Sequence, residues 1–177
     1  MNPTPIPPGV RPGVPEARGR MTITDHGDAL ALAGSIDETA ALHELLDRAR
    51  SGRLVLDLAD VTFINSLGVR DWIRMQSGAR DLKLAVELRR VAEPVIHQLN
   101  MIIATRGTAT VSSFFAPYAC DACGREESLL IDAIAHAERL VKLDPPPMTC
   151  PECTAVMAFN DFPERYFSFL EPMPVPV

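Results

Sequence analysis

Four cysteines are the residues of this chain whose type and spacing most directly suggest chemistry. They form two Cys-x-x-Cys pairs, Cys120 with Cys123 and Cys150 with Cys153, and 26 residues separate the pairs. Two thiolates at this spacing can face one metal ion across a tight turn, and two such turns complete a tetrahedral cage of four sulfurs. Zinc suits that cage because it is redox-inert and tolerates tetrahedral geometry. The sequence therefore predicts one structural Zn²⁺ held by all four cysteines, with no coordination position left open for catalysis.

Other interpretations of the cysteines are weaker. Disulfide bonds are disfavoured in a cytosolic protein, and two pairs without a thioredoxin-like context do not suggest a redox site. Residues 116–177, which contain all four cysteines, resemble a zinc ribbon. We expect a strand after the first pair, a short helix in the loop between the pairs and a strand at Val156–Phe159 after the second pair.

Aromatic residues are concentrated after the second cysteine pair. Two interpretations of this cluster stay open: its rings pack the ribbon against the preceding domain, or they form an exposed partner-binding patch. The members of the cluster are Phe162, Tyr166, Phe167, Phe169 and Leu170.

Residues 54–72 predict the elements that position a second candidate site. The apolar run at residues 54–58 has the length and branched side chains of a buried strand. Phe63-Ile64 then leads into Asn65-Ser66, and apolar residues recur at helical spacing from Val69 onward. The pattern indicates a strand, a loop and a helix N-terminus, where backbone N–H groups point outward and a small polar side chain can cap the helix.

The same stretch resembles the signature of the STAS domain, a family found in bacterial anti-sigma-factor antagonists and in sulphate transporters. The resemblance rests on Val55-Leu56-Asp57-Leu58 and on the run from Val61 to Val69, while Gly34-Ser35-Ile36-Asp37 is similar to the end of the family's second strand. It covers about residues 20–115. It implies an α/β fold, with a STAS-like sheet and helices packed against it.

Two positions depart from the family pattern. Asn65 stands where the family has Asp, and Leu67 stands where the family has the phosphorylated Ser or Thr directly before the Gly. The resemblance implies that this helix N-terminus binds a protein partner, and without a hydroxyl at Leu67 we expect constitutive binding. Three roles stay open for Ser66: a helix cap, a displaced phosphorylation site, or a residue that only lines the contact surface. The predicted partner-binding residues are Asn65, Ser66, Leu67, Gly68, Val69 and Arg70.

The rest of residues 20–115 alternates between strand and helix patterns, which predicts βαβ units around a central sheet. Two apolar stretches around a turn at His26-Gly27-Asp28 predict a hairpin over residues 21–32. Further expected elements are a helix over residues 41–49, a strand over 82–88, a helix over 93–101 and a last strand near 109–115.

Composition and charge divide the 177 residues into three parts: a Pro-rich flexible tail (1–19), a STAS-like domain (20–115) and a zinc-ribbon-like domain (116–177). The net charge is −6, and residues 114–177 hold 4 Lys and Arg against 10 Asp and Glu. This acidic excess argues against nucleic-acid binding, which needs basic side chains at phosphates. We expect a cytoplasmic protein without membrane insertion, because the apolar runs are short and no signal-peptide pattern is present.

No pattern in the sequence predicts an enzyme, since we find no phosphate-binding Gly-rich loop, nucleophile elbow or His-Glu-x-x-His. The leading hypothesis is a non-enzymatic protein-interaction module in bacterial signalling that resembles an anti-sigma-factor antagonist but lacks the usual phosphoacceptor. Its expected partner is an anti-sigma factor or a related kinase-like protein, and homo-oligomerisation is left open. The alternatives are a STAS subunit that regulates an ABC-type lipid-transport ATPase and a transcription-associated zinc-ribbon adaptor.

Overall fold

The first sheet contains five strands in the order β1-β2-β3-β4-β5. In the computed structural model, which describes residues 20–170, β1 and β2 are antiparallel, whereas β2, β3, β4 and β5 pair in parallel. Parallel pairing follows from the helical connections between these strands, and a tight turn suffices for the antiparallel pair. The strands are β1 Thr22–Asp25, β2 Leu30–Ile36, β3 Arg53–Ile64, β4 Ala85–Arg89 and β5 Thr110–Val111. The predicted hairpin is confirmed.

The second sheet is antiparallel and has the order β7-β6-β9-β8. Its strands are β6 Ser113–Ala119, β7 Glu126–Asp132, β8 Met148–Thr149 and β9 Val156–Phe159. Only Ser112 separates β5 from β6, so one run of chain passes from the first sheet into the second. The position at which we divided the sequence, between residues 115 and 116, lies inside β6.

Five α-helices complete this mixed α/β architecture within residues 20–170. They are α1 Glu44–Asp47, α2 Ser66–Asp81, α3 Glu93–Met101, α4 Ala137–Leu140 and α5 Pro163–Tyr166, with 3₁₀ turns at Ile103–Thr105 and Ser168–Leu170. The bounds predicted for α3 are confirmed, as is the short helix in the loop between the cysteine pairs. Across these described residues, no helix combines the length and apolar character needed to cross a membrane.

Several elements differ in length from their predictions, among them β4, which spans Ala85–Arg89 where a strand over residues 82–88 was expected. The helix expected over residues 41–49 is a single α turn, because neighbouring bonds such as Leu45 N–H to Leu42 O join residues only three apart. The strand expected at residues 54–58 extends to Ile64, since its second half pairs with β2. The strand expected near residues 109–115 is divided at Ser112, whose N–H bonds to Leu88 while its carbonyl accepts from Ala133 of the second sheet.

Aromatic residues join the two sheets into one core. Phe114 at the start of β6 is fully buried, and its ring lies 5.9 Å from that of Phe167 and 5.1 Å from that of Phe169. Tyr166 is also buried and donates a 2.7 Å hydrogen bond to the carbonyl of Phe115. The packing interpretation of the aromatic cluster is therefore confirmed for these buried rings. Phe162, by contrast, is 71% exposed.

The start of α2 lies unusually close to the end of β2. A Cβ atom placed on Gly68 would be 2.0 Å from the backbone oxygen of Ile36, a distance that no side chain can occupy. The amide of Asn65 donates to the same oxygen at 3.2 Å, so the strand end and the helix start are also hydrogen-bonded. Glycine at position 68 thus sets how closely α2 approaches the sheet.

We predict that Gly68→Ala lowers the free energy of unfolding by about 3 kcal/mol, because the added methyl group must push α2 away from β2. Gly78→Ala, in the same helix, is the control: its Cβ would meet only the flexible Cδ1 of Leu46, at 2.7 Å. Urea unfolding monitored by Trp72 fluorescence gives both values. Equal losses in the two variants would contradict the backbone-contact explanation.

Candidate functional site

The first cysteine pair lies in the turn between β6 and β7. The amide of Cys120 donates to the carbonyl of Arg125 at 2.8 Å, and the amide of Gly124 donates to the carbonyl of Cys120 at 2.8 Å. Gly124 has φ of +75°, a left-handed conformation that glycine adopts without a steric penalty. These two bonds close the tight turn that aims both sulfurs to one side.

The second pair lies in an equivalent turn between β8 and β9. Here the amide of Cys150 donates to the carbonyl of Ala155 at 2.8 Å, and the amide of Thr154 donates to the carbonyl of Cys150 at 2.9 Å. Thr154 takes the left-handed position that Gly124 occupies in the first turn, with φ of +62°. The two turns therefore share one backbone hydrogen-bond pattern.

The two turns bring the four cysteine sulfurs into one cluster. All four lie within 4.8 Å of one another, with Cys120 Sγ 3.5 Å from Cys153 Sγ and Cys123 Sγ 3.7 Å from Cys150 Sγ. A Zn²⁺ ion with Zn–S bonds of about 2.3 Å would require S···S edges of about 3.8 Å in an ideal tetrahedron. A disulfide would require a separation of about 2.05 Å, so all four residues are free thiols. The cluster has the donor atoms and the spacing to hold one metal ion.

The environment of the sulfurs already favours one thiolate. Backbone N–H groups of Cys153 and Glu152 donate to Cys150 and lower the pKa of its thiol to about 7. Cys123 accepts from the amide of Arg125, yet burial and the neighbouring sulfurs raise the pKa of its thiol to about 12. Cys153 accepts from the amide of Ala155, yet the sulfurs of Cys120 and Cys150 raise the pKa of its thiol. A bound cation would lower the pKa of all four thiols and favour every thiolate, because its charge outweighs the local interactions.

Residues outside the cysteine pairs hold the two turns together. Tyr118 in β6 is buried, and its hydroxyl donates a 2.8 Å hydrogen bond to the carbonyl of Pro146, just before β8. Burial raises the pKa of Tyr118 to about 12, so the hydroxyl keeps the proton that it donates. Arg125 joins the two turns at the surface, with Nε 2.8 Å from Glu127 and a terminal nitrogen 3.3 Å from Glu152. No cysteine spacing reveals these supporting residues.

The second candidate site is the junction of β3 and α2. Its helix is capped by Asn65, whose Oδ1 accepts the amide N–H of Gly68 at 2.8 Å. Ser66 is the first residue of the helix, so the capping role considered for Ser66 is wrong. The Nδ2 group of Asn65 also donates to Glu38 at 2.9 Å. An aspartate could not donate that bond and would place a second negative charge beside Glu38, which gives Asn at this position a physical reason.

The six predicted contact residues are unequally accessible. Ser66 and Arg70 are exposed, Leu67 is 39% exposed and Asn65 is half-buried. Gly68 and Val69 lie on the buried face of α2. Arg70 is held by Asp71 through bonds of 3.0 and 3.2 Å, and this contact lowers the pKa of the Asp71 carboxyl. Among these six residues, Leu67 is therefore the accessible apolar side chain, and it is accompanied by the exposed hydroxyl of Ser66 and by the guanidinium of Arg70, which is paired with Asp71.

The chain was compared with protein-family models, curated proteins and solved structures, and nothing in the three comparisons matches it.

We predict that the affinity of the cysteine cluster for Zn²⁺ falls steeply as the pH is lowered. Binding converts the thiols with raised pKa values into thiolates, so protons compete with the metal and acid favours release. A loss of at least ~10-fold per pH unit between about pH 8 and about pH 6 is expected if one or more protons leave per ion. Competition with a chromophoric chelator measures the affinity. An affinity that does not change with pH would contradict thiolate ligation.

Proposed function

We propose that this chain is a non-enzymatic protein-interaction module of bacterial signalling, in which a STAS-like domain binds a protein partner and a zinc-ribbon-like domain is stabilised by structural Zn²⁺. The observation that carries the proposal is the β3–α2 junction. Leu67 is 39% exposed there, in a helix start held by the Asn65 cap and by the close contact at Gly68. A rigid backbone that presents one accessible apolar side chain suits protein recognition, because little conformational entropy is lost on binding.

The STAS-like part of the proposal is supported by the order of the first five strands. An antiparallel hairpin leads into the parallel strands β2, β3 and β4, and α2 directly follows β3. The parallel pairing brings Ile36 beside Ile64. The two stretches that resemble the family therefore meet at the carboxyl ends of β2 and β3. Loops at the carboxyl ends of parallel strands are where α/β sheets commonly bind ligands.

The zinc-ribbon-like part is supported by four sulfurs that lie within 4.8 Å of one another on two equivalent turns. Zinc is the proposed ion because four thiolates suit a borderline-soft cation that needs no redox change. When bound, it would be held by Cys120, Cys123, Cys150 and Cys153, and its role would be structural. It would tie the end of β6, which is held in the core, to the end of β8, a strand of only two residues.

The binding mode follows from the side chain at position 67. In an anti-sigma-factor antagonist, phosphorylation of a hydroxyl before the Gly adds nearly two negative charges and breaks the complex. A leucine cannot be phosphorylated and offers an apolar contact instead. We therefore infer constitutive binding, with Leu67 as the anchor and no phosphate switch at that position.

Zinc content provides the first test. Protein purified without added metal should contain about one zinc per chain by elemental analysis. Removal by a chelator should abolish hydrogen-exchange protection in β7, β8 and β9, because these short strands lose the bond that holds their ends together. Cys150→Ser should reproduce that loss without chelator. A metal-free protein with the second sheet fully protected would overturn the structural role.

Partner binding provides the second test. Tagged protein is used to capture partners from cells of its source organism, and the dissociation constant is then measured with the purified partner. Leu67→Asp should weaken binding by about 2 kcal/mol, roughly 30-fold, as expected for the loss of an apolar anchor. Leu82→Asp introduces the same charge at the other end of α2, where Leu82 is 60% exposed, and should leave binding unchanged.

The identity of the partner distinguishes the hypotheses. An anti-sigma factor supports the proposal, whereas an ABC ATPase or an RNA polymerase subunit would replace it by one of the alternatives. Mass spectrometry of the native protein tests the switch: stoichiometric phosphate on Ser66 would refute constitutive binding.

A further inference from the structure

The first sheet opens halfway along its central strand. β4 pairs with residues 53–57 of β3, and the register ends at the pair Asp57 and Arg89. Asp60 and Val61 still pair with β2 on one side. On the other side no strand of residues 20–170 lies against residues 59–62, although Ala59 donates its amide to Asp57 Oδ1 at 3.2 Å. Residues 59–62 therefore form an open strand edge in the middle of the molecule rather than at the rim of the sheet.

Arg90 holds the point at which the strands separate. It has φ of +46°, which turns the chain away from β3, and its Nε donates to Asp57 at 2.7 Å. Its amide donates to Ser113 Oγ at 2.9 Å, and Val91 then pairs with Phe114 of β6. After Arg90 the chain therefore runs beside the second sheet instead of beside β3. This change of direction leaves a gap between the two sheets.

A groove of about 640 Å³ fills that gap. The open edge of β3 forms one wall, and the N-terminus of α3 with β6 and β7 forms the other. Most of its lining is apolar, and it includes Ala59, Val61, Phe63, Pro94, Phe115 and Ser128. An apolar groove beside an unpaired strand edge is the arrangement to which extended peptides bind by adding a strand.

The charge around the groove is negative. Glu93 is part of the lining, Asp60 is exposed on the open strand, and Glu126 lies on the same face of β7 as Ser128. Within the described chain none of these three carboxylates has an ion-pair partner within 4 Å, and the lining contains no Lys or Arg. His97 is also in the lining, and Arg90, which is paired with Asp57, has a further charge interaction with Asp60. The carboxylates still outnumber the Arg and Lys side chains here, so a ligand with basic side chains would meet a net negative charge at this rim.

We propose that the groove binds an extended, basic and apolar peptide segment of a partner protein, which adds as a strand to the open edge of β3. Residues 59–62 span about 13 Å, so about four peptide residues would pair, with apolar side chains in the groove and Lys or Arg towards Glu93 and Asp60. This surface is separate from the α2 start and does not depend on the role of Leu67.

Fluorescence anisotropy with the full chain and three labelled peptides tests the proposal. Lys-Val-Thr-Val-Lys should bind saturably, and Glu-Val-Thr-Val-Glu should bind at least ~10-fold more weakly because its charges face the acidic rim. Lys-Val-Pro-Val-Lys should also lose at least ~10-fold, because proline removes a backbone donor needed for strand pairing. Equal affinities for the three peptides would overturn the proposal.

Variants of the protein locate the binding site. Ser128→Trp should fill the groove and reduce binding at least ~10-fold, and Glu93→Gln should reduce binding of the basic peptide several-fold. Glu164→Gln removes an exposed carboxylate of α5 outside the groove and should have no effect. Leu67→Asp should also leave peptide binding intact, which keeps this result independent of the partner test above. Unchanged binding by both Ser128→Trp and Glu93→Gln would refute the site.

Other occupants give distinguishable results, and each would overturn the proposal. Peptide binding that requires deletion of residues 1–19 or 171–177 would identify a segment of this chain as the occupant. A dimer in sedimentation experiments that Ser128→Trp dissociates would identify a second copy.

Discussion

The run of chain from β5 into β6 is the constraint on which the rest of the structure depends. It pairs with β4 in the first sheet, crosses at Ser112 and becomes the second strand of the antiparallel sheet. Phe114 lies at the crossing and is fully buried against the aromatic rings of residues 167 and 169. Burial of such a side chain contributes about 2–3 kcal/mol, and each favourable ring pair adds about 1 kcal/mol. The two sheets therefore share one core, and the shared strand sets where each can end.

That shared strand also leads to the metal centre. Cys120 follows β6 directly, so the first sulfur is positioned by the strand that fills the core. The second cysteine pair follows β8, a strand of only two residues that has little apolar surface to hold it. Its position depends on the pairing of β8 with β9, on the hydrogen bond from Tyr118 to Pro146 and on the sulfurs themselves. A metal ion at this point would replace the core that so short a strand cannot form.

The two proposed interaction surfaces, the β3–α2 junction and the groove beside residues 59–62, both depend on β3. At the end of β3, backbone and side-chain bonds from Asn65 to Ile36, Gly68 and Glu38 fix the helix start in a single geometry. Residues 59–62 of β3 pair with β2 on one side only, because the chain after β4 follows the second sheet and, within residues 20–170, no strand lies on the other side. The first surface presents one side chain on rigid backbone, whereas the second presents the backbone itself. A strand can provide both because its hydrogen bonds and its side chains point in perpendicular directions.

Local patterns in the sequence were sufficient for the features that depend on neighbouring residues. The hairpin, the bounds of α3, the strand-to-helix change at residues 64–66 and the pairing of cysteines within each turn all follow from spacing over a few positions. The identity of the helix cap did not follow, because Asn65 and Ser66 are both good capping residues and only the backbone conformation at residue 65 distinguishes them. The length of β3, the division at Ser112 and the meeting of the two cysteine turns depend on partners between 21 and 33 positions away. Those contacts, and the open edge that results where β4 leaves β3, were decided by tertiary structure, since no local pattern records which distant strand will take a backbone hydrogen bond.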